Sequence, residues 1–197
     1  MSGRFIILLF SLIKAQISFL HFHHSENSNK FTLPLNLKMK QNLEIPFETF
    51  QNIDELSDIE RQLFTAASEI REKAYAPYSD FWVGCAILLD DGQIIQGNNQ
   101  ENAAYPSGLC AERTALYWLS ANFPDKKIKK IFIVGGAHHN PSPSPIPPCG
   151  SCRQSILEYE TKQNHNIELY FSSVQGQVVK CYSIKNLLPF SFDKNHL

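Results

Sequence analysis

The sequence predicts an α/β fold, a five-stranded sheet flanked by helices, and three observations carry that expectation. Apolar runs of strand length recur at 81–89, 93–96, 131–136, 167–172 and 178–182. Between them stand segments whose apolar residues recur at three- and four-residue steps, the period of a helix. The link between the last two runs, Ser173 to Gln177, has five residues. That is too short for a parallel crossover, so these two strands must pair as an antiparallel hairpin. A chain of 197 residues fits one domain and can bury a core.

Residues 1–38 differ from the rest. Arg4 precedes an apolar run, Phe5 to Phe10 with Leu12 and Ile13. This has the character of a signal peptide, but Lys14 interrupts it and no clean cleavage site follows. The run is also too short to span a bilayer. The preferred reading is an N-terminal extension outside the domain, a disordered tail or an over-extended start, with a signal-like segment second. His21, His23 and His24 read as solvated linker residues rather than metal ligands. The domain is then 39–197.

Ser57 and Glu60 have capping-box spacing. Ile59, Leu63, Ala66, Ala67, Ile70 and Ala74 follow on one helical face, and Pro77 ends the segment. Phe81 to Leu89 reads as a buried strand, and Asp90-Asp91-Gly92 as a type I′ hairpin turn into Gln93 to Gln96. A helix over Cys110 to Ala121 is apolar nearly all round, which points to burial between the sheet and another subunit. Ile131 to Gly136 is a central strand. A long proline-rich loop follows, and it is expected to shape the rim of a pocket; its His138 and His139 read as solvent-facing. A third helix starts at Gly150. Cys85 and Cys181 lie inside apolar runs and read as small buried hydrophobes.

The chemistry centres on Cys110-Ala111-Glu112-Arg113 and Pro148-Cys149-Gly150-Ser151-Cys152. Cys149 and Cys152 have the two-residue gap that lets both sulfurs reach one ion, and Cys110 supplies a third. Three protein ligands on zinc leave a fourth position for water, the mark of a catalytic site. Glu112 is close enough to act on that water without being a ligand. Arg113 can donate hydrogen bonds to the thiolates, and Arg153 can assist. Asn99 and Glu101, two apart on an extended segment, point the same way and can bind sugar hydroxyls, or can be plain loop residues. Phe81 reads equally as core or as a ring contact.

The stretches Gly97 to Pro106, Gly108 to Ala115 and Pro148 to Gln154 closely resemble the cytidine deaminases, of the small homotetrameric type with three cysteine ligands. The likeness runs from about Ala74 to Phe192. It implies a three-layer fold with a mixed five-stranded sheet, and a nucleoside substrate, cytidine or 2′-deoxycytidine. Hydroxide at zinc would attack C4 while Glu112 moves protons to N3 and the leaving amine. The resemblance also implies that Phe81 packs on the pyrimidine, that Asn99 and Glu101 hold the 3′-hydroxyl, and that the Ala111 backbone meets the pyrimidine edge. Tyr105 and Phe192 would be contributed by a neighbouring subunit.

A net charge of −1 offers no basic face for nucleic acid. Lys126, Lys127, Lys129 and Lys130 lack interleaved aromatics and read as a solvated turn. The resemblance implies that polynucleotide editors would insert a helix before the last strand, which the short final hairpin excludes. Zinc thiolates suit a reducing cytosol, and no membrane partner is expected. A deaminase of a related nucleoside such as blasticidin S is the alternative. A structural zinc module fits less well, because a fourth ligand is missing and a glutamate stands beside the first.

Overall fold

The computed structural model describes residues 39–140 and 143–197. The expectations for residues 1–38, including the three histidines, lie outside the described residues, as do Pro141 and Ser142 of the proline-rich loop. Leu43–Leu197 forms a compact unit. Its elements in order are β1 (Phe47–Phe50), α1 (Asp58–Arg71), β2 (Phe81–Leu89), β3 (Ile94–Asn98), α2 (Ala111–Asn122), β4 (Ile128–Ala137), α3 (Gly150–Gln163), β5 (Glu168–Ser172) and β6 (Val178–Cys181). The strands form one sheet in the order β1-β6-β5-β4-β2-β3. Only β4 and β5 pair parallel, across the α3 crossover. β5 and β6 pair antiparallel, as the short link requires.

The sheet has six strands among the described residues, not five. The extra strand, β1, pairs antiparallel with β6, with Phe47 opposite Cys181 and Phe50 opposite Val178. It is four residues long, half exposed, and finds its partner across almost the whole domain. Nothing local in Phe-Glu-Thr-Phe distinguishes it from a loop.

Alternation along the strands builds two cores. One face of the sheet sends Ala86, Leu88, Phe132, Val134 and Tyr170 against Leu63 and Ala67 of α1. The other sends Cys85, Ile87, Ile131, Ile133 and Leu169 against Ala115 and Leu116 of α2 and Ile156 of α3. This is the expected three-layer arrangement. Burying each large aliphatic side chain contributes about 1.5–3 kcal/mol. Cys85 and Cys181 are buried free thiols within the second core, as expected. Two glycines set the spacing of the layers. A Cβ on Gly84 would lie 1.9 Å from the Ala67 carbonyl oxygen of α1, and one on Gly97 would lie 2.7 Å from the Ala115 nitrogen of α2.

α1 begins at the predicted capping box, where the Glu60 carboxylate accepts from the Ser57 N–H at 3.0 Å. It ends at Arg71, short of Pro77. The chain leaves the helix because Tyr75 pairs its backbone with Asn99 and Glu101, at 3.0 and 2.8 Å. The β2–β3 turn is not type I′. Gly92 has φ +91°, but Asp90 and Asp91 keep negative φ. The Gly92 N–H donates to the Leu89 carbonyl, and the Leu89 N–H donates to the Gln93 carbonyl. This is a turn followed by one left-handed residue, which glycine enters freely.

α3 is tied to the closing hairpin by Glu160. Its buried carboxylate accepts from the Ile167 N–H at 2.8 Å, the Ser183 hydroxyl at 2.5 Å and the Ile184 N–H at 3.2 Å. The N-termini of α2 and α3 meet where Cys110 and Cys149 approach to 3.9 Å, and the site forms between them.

Candidate active site and metal centre

Cys110 is the N-cap of α2 and Cys149 the N-cap of α3, with Cys152 in the first turn of α3. Two helix starts therefore carry the three sulfurs, and their partial positive charge favours thiolates. The Cys110 and Cys149 sulfurs are 3.9 Å apart, and those of Cys149 and Cys152 are 3.5 Å apart. All three ligand atoms lie within 4.8 Å of one another. A tetrahedral ion with bonds of about 2.3 Å needs sulfurs about 3.8 Å apart. The donor set fits zinc in spacing and in softness.

The charge around the sulfurs is asymmetric. Hydrogen bonding from Cys152 pulls the Cys110 thiol down to about 5, against its partial burial, with the Arg113 guanidinium adding to the effect. Hydrogen bonding to Cys110, together with burial, pushes Cys152 up. Arg113 Nη2 lies 3.7 Å from Cys110 Sγ, as the sequence predicts. Arg153 does not assist at the sulfurs. Its Nε donates to the Pro148 carbonyl and its Nη1 to the Leu187 carbonyl, both at 2.9 Å. It ties the ligand loop to the C-terminal segment instead.

Glu112 is the second residue of α2 and is 4% exposed. Burial raises its pKa, and the nearby Cys110 raises it further. A carboxyl held in this way is suited to taking and giving a proton. Glu112 opens into a pocket of about 600 Å³ that it shares with Cys110, Cys149 and Arg113. The same pocket is lined by Phe81, Asn99, Glu101 and Tyr105.

The polar pair is held firmly. Asn99 Oδ1 accepts from the Val83 N–H at 2.8 Å and its Nδ2 donates to the Phe81 carbonyl at 2.9 Å. Glu101 Oε2 accepts from the Tyr78 and Ser79 N–H groups at 2.9 and 3.3 Å, and Oε1 from the Ser79 hydroxyl at 2.5 Å. The Ser79 hydroxyl in particular holds the Glu101 carboxyl below its usual range. Ala111 is buried as the first residue of α2. Tyr105 is 75% exposed at the pocket rim, with Tyr78 edge-on at 6.1 Å. Phe192 lies apart from this pocket. It is exposed, stacked on His196 at 5.2 Å, and its carbonyl accepts from Gln154 Nε2.

The proline-rich loop does shape the rim, through Ile146 and Pro147. His139 is exposed, as expected, and pairs with Asp80 at 2.7 Å. His138 is not solvent-facing but half-buried, stacked on Trp82 at 3.6 Å. The register places Trp82 opposite Gly136, and His138, two residues further on the same face, meets Trp82 diagonally. Sequence reasoning missed Tyr78, Ser79, Ile146 and Pro147. Their places depend on turns and loop packing that have no periodicity to read.

Residues 57–165 match the family model described as the cytidine and deoxycytidylate deaminase zinc-binding region. That is more than half of the chain, and it contains all three cysteines and Glu112. The chain belongs to the cytidine deaminase family. It is 36% identical to the cytidine deaminase of Sporosarcina psychrophila over 71% of this chain and 95% of that one. It is 38% identical to the cytidine deaminase of Halalkalibacterium halodurans over 67% and 92%. The crystal structure of cytidine deaminase from Burkholderia pseudomallei superposes with a TM-score of 0.59 at 38% identity, covering 70% of this chain and 100% of the other. The three-cysteine cluster is thus the zinc-binding cluster of a deaminase fold.

Proposed function

We propose that this chain hydrolyses cytidine and 2′-deoxycytidine to uridine and 2′-deoxyuridine, releasing ammonia. One observation carries the reading: a buried glutamate opens into the same pocket as Cys110 and Cys149, two of the three cysteines spaced for one zinc ion. Cys110, Cys149 and Cys152 would hold the metal, which supplies Lewis acidity that lowers the pKa of water at its open position. Glu112 would take one proton from the attacking water and give it to N3 as the water oxygen bonds to C4. It would then pass the second proton of that oxygen to the exocyclic amine, whose bond to C4 breaks so that ammonia leaves and a carbonyl remains at C4. Phe81 packs on the ring, and the Ala111 backbone meets its edge. Asn99 and Glu101 hold the 3′-hydroxyl, and their fixed orientation lowers the cost of doing so.

The catalytic domain is residues 39–197. It acts as a homotetramer, with Phe192 completing a neighbour's site; Tyr105, which the resemblance gives to a neighbouring subunit, lines the pocket of its own chain. Three thiolates fit a reducing compartment, and the cytoplasm is the proposed location. No helix among the described residues is long and apolar enough to cross a membrane.

The test is the loss of cytidine ultraviolet absorbance with purified protein, alongside zinc content. Turnover with about one zinc per chain is expected. Glu112→Gln should keep the zinc and lose about a thousandfold or more in kcat. Substantial residual turnover would overturn the role of Glu112. A zinc-loaded protein inert on cytidine would shift the substrate to a related nucleoside such as blasticidin S.

A further inference from the structure

We infer that Ile146, in the proline-rich loop, determines specificity by limiting the size of the group that the pyrimidine can carry at C5. The inference rests on the cytidine reading above and deepens it.

The floor of the pocket is the end of the sheet. Val83 of β2 pairs with Gly135 of β4, and Ile133 lies two residues along on the same face. Gly135 leaves a gap in that floor, and Ile146 fills it from above. A Cβ on Gly135 would lie 3.1 Å from Ile146 Cγ2, 3.3 Å from Ile146 Cβ and 3.4 Å from Val83 Cγ2. Ile146 is half-buried and lines the pocket together with Pro147 and Cys149. The segment has little freedom. Pro145, Pro147 and Pro148 restrict its backbone, and Arg153 holds the Pro148 carbonyl at 2.9 Å. Upstream, the Pro143 backbone lies against Gly176 in the β5–β6 turn.

The chemistry of the ring assigns the wall its edge. C4 is flanked by N3 and C5. The amine-bearing carbon must meet the cysteines, and the sugar on N1, across the ring from C4, must meet Asn99 and Glu101. That fixes the long axis. Glu112 serves N3, so C5 turns to the other flank. On the flank next to Cys149 the lining is apolar and consists of Ile146 and Pro147, with Ile146 seated over Gly135. A hydrogen or a small group fits there. A bulky group would have to displace a side chain seated on the sheet and held by a stiff loop.

Two substitutions should act in opposite directions. Ile146→Ala opens the wall, whereas Gly135→Ala pushes Ile146 toward the ring. The experiment measures kcat/KM for cytidine and 5-iodocytidine on each zinc-loaded protein. Comparing one pair of substrates across variants cancels the electronic effect of iodine. Ile146→Ala should lose some activity on cytidine yet raise the iodo-to-cytidine ratio about tenfold or more. Gly135→Ala should lower the ratio by about threefold or more. If Ile146→Ala fails to fold, Ile146→Val should raise the ratio by about threefold. A ratio within about twofold of wild type in the Ile146 variants, with cytidine still turned over, overturns the inference alone. Wild-type protein that holds zinc but leaves cytidine untouched overturns the cytidine reading, and the inference with it.

Discussion

Glu101 carries its charge at the mouth of the pocket, where two backbone N–H groups and the Ser79 hydroxyl fix its orientation. A carboxylate fixed in this way can bind a sugar hydroxyl without losing rotamer freedom. Replacing it by glutamine removes the charge and some of the acceptors that the turn at Tyr78 and Ser79 uses. Glu101→Gln should therefore raise KM for cytidine by about tenfold, the usual worth of one charge-assisted hydrogen bond. With 3′-deoxycytidine the variant and wild type should differ little. An equal loss on both substrates, measured by initial rates, would show that Glu101 shapes the turn and does not touch the 3′-hydroxyl. Cys149 and Cys152 were legible in the sequence because one helical turn brings them together, and Glu112 because it stands two residues from Cys110. Cys110, 39 residues from Cys149, and the Asn99–Glu101 pair owed their places to the motifs shared with the family. Ser79 and Ile146 were not legible, because a turn and a loop deliver them to the pocket through contacts distant in sequence. Asn99 shows a subtler gap: the sequence identifies it as a polar side chain at the site, yet its amide also bridges the backbone at the start of β2.

α1 is joined to the sheet by both its ends. At the start, Glu60 Oε1 accepts from the Tyr170 hydroxyl at 2.5 Å and from Lys130 Nζ at 3.0 Å, while Lys130 also pairs with Glu168. Burial opposes ionisation of Glu60, but hydrogen bonds from Tyr170, Ser57 and Lys130 outweigh it and hold the pKa at about 2 against an ordinary 4.5. The folded pKa lies below the unfolded one, so this stabilisation is complete above pH 4.5 and drains as pH falls toward 2. The Tm of wild type should fall more steeply than that of Glu60→Gln between about pH 5 and about pH 3. Parallel curves would remove Glu60 from the acid transition, and acid loss of zinc, common to both proteins, does not disturb the comparison. At the other end, Arg71 donates to the Trp82 and Gly136 carbonyls at 3.1 and 3.0 Å. Between the ends, Gly84 lets the helix backbone rest on β2. Gly84→Ala should destabilise by about 3 kcal/mol, because the clash is with the backbone of α1 rather than with a mobile side chain. Gly150→Ala, with nothing within 4 Å, should leave Tm unchanged or raise it. Capping, periodicity and the short final link made α1 and the β5–β6 hairpin readable. β1 was not, because its pairing partner is more than a hundred residues away and the strand itself has no apolar run.

At the scale of the whole molecule, the chain leaves apolar surface that one copy does not cover. α2 buries Ala111, Ala115, Leu116 and Leu119 against the sheet, while Tyr117 and Trp118 remain 45% and 51% exposed on its outer side. Phe190 and Phe192 near the C-terminus are 93% and 58% exposed, and Phe192 lies away from the pocket of its own chain. The sequence resemblance assigns Phe192 to a neighbour's site, and a tail with two exposed phenylalanines agrees with that assignment. In the proposed assembly each active site combines Glu112 from one chain with Phe192 from another. Phe192→Ala should then raise KM while zinc content stays normal, and Glu112→Gln should abolish turnover. Co-expressing the two variants gives mixed assemblies in which some sites pair an intact Glu112 with an intact Phe192. Random assembly leaves about a quarter of the sites intact, so at low substrate the mixture should exceed the average of the two separate variants by up to about a quarter of wild-type activity. Such rescue requires shared sites, since two self-contained defective chains cannot repair each other. Activity equal to the average of the two separate variants, with an oligomer confirmed by light scattering, would place Phe192 outside every active site and leave the exposed face of α2 to a contact without catalytic consequence.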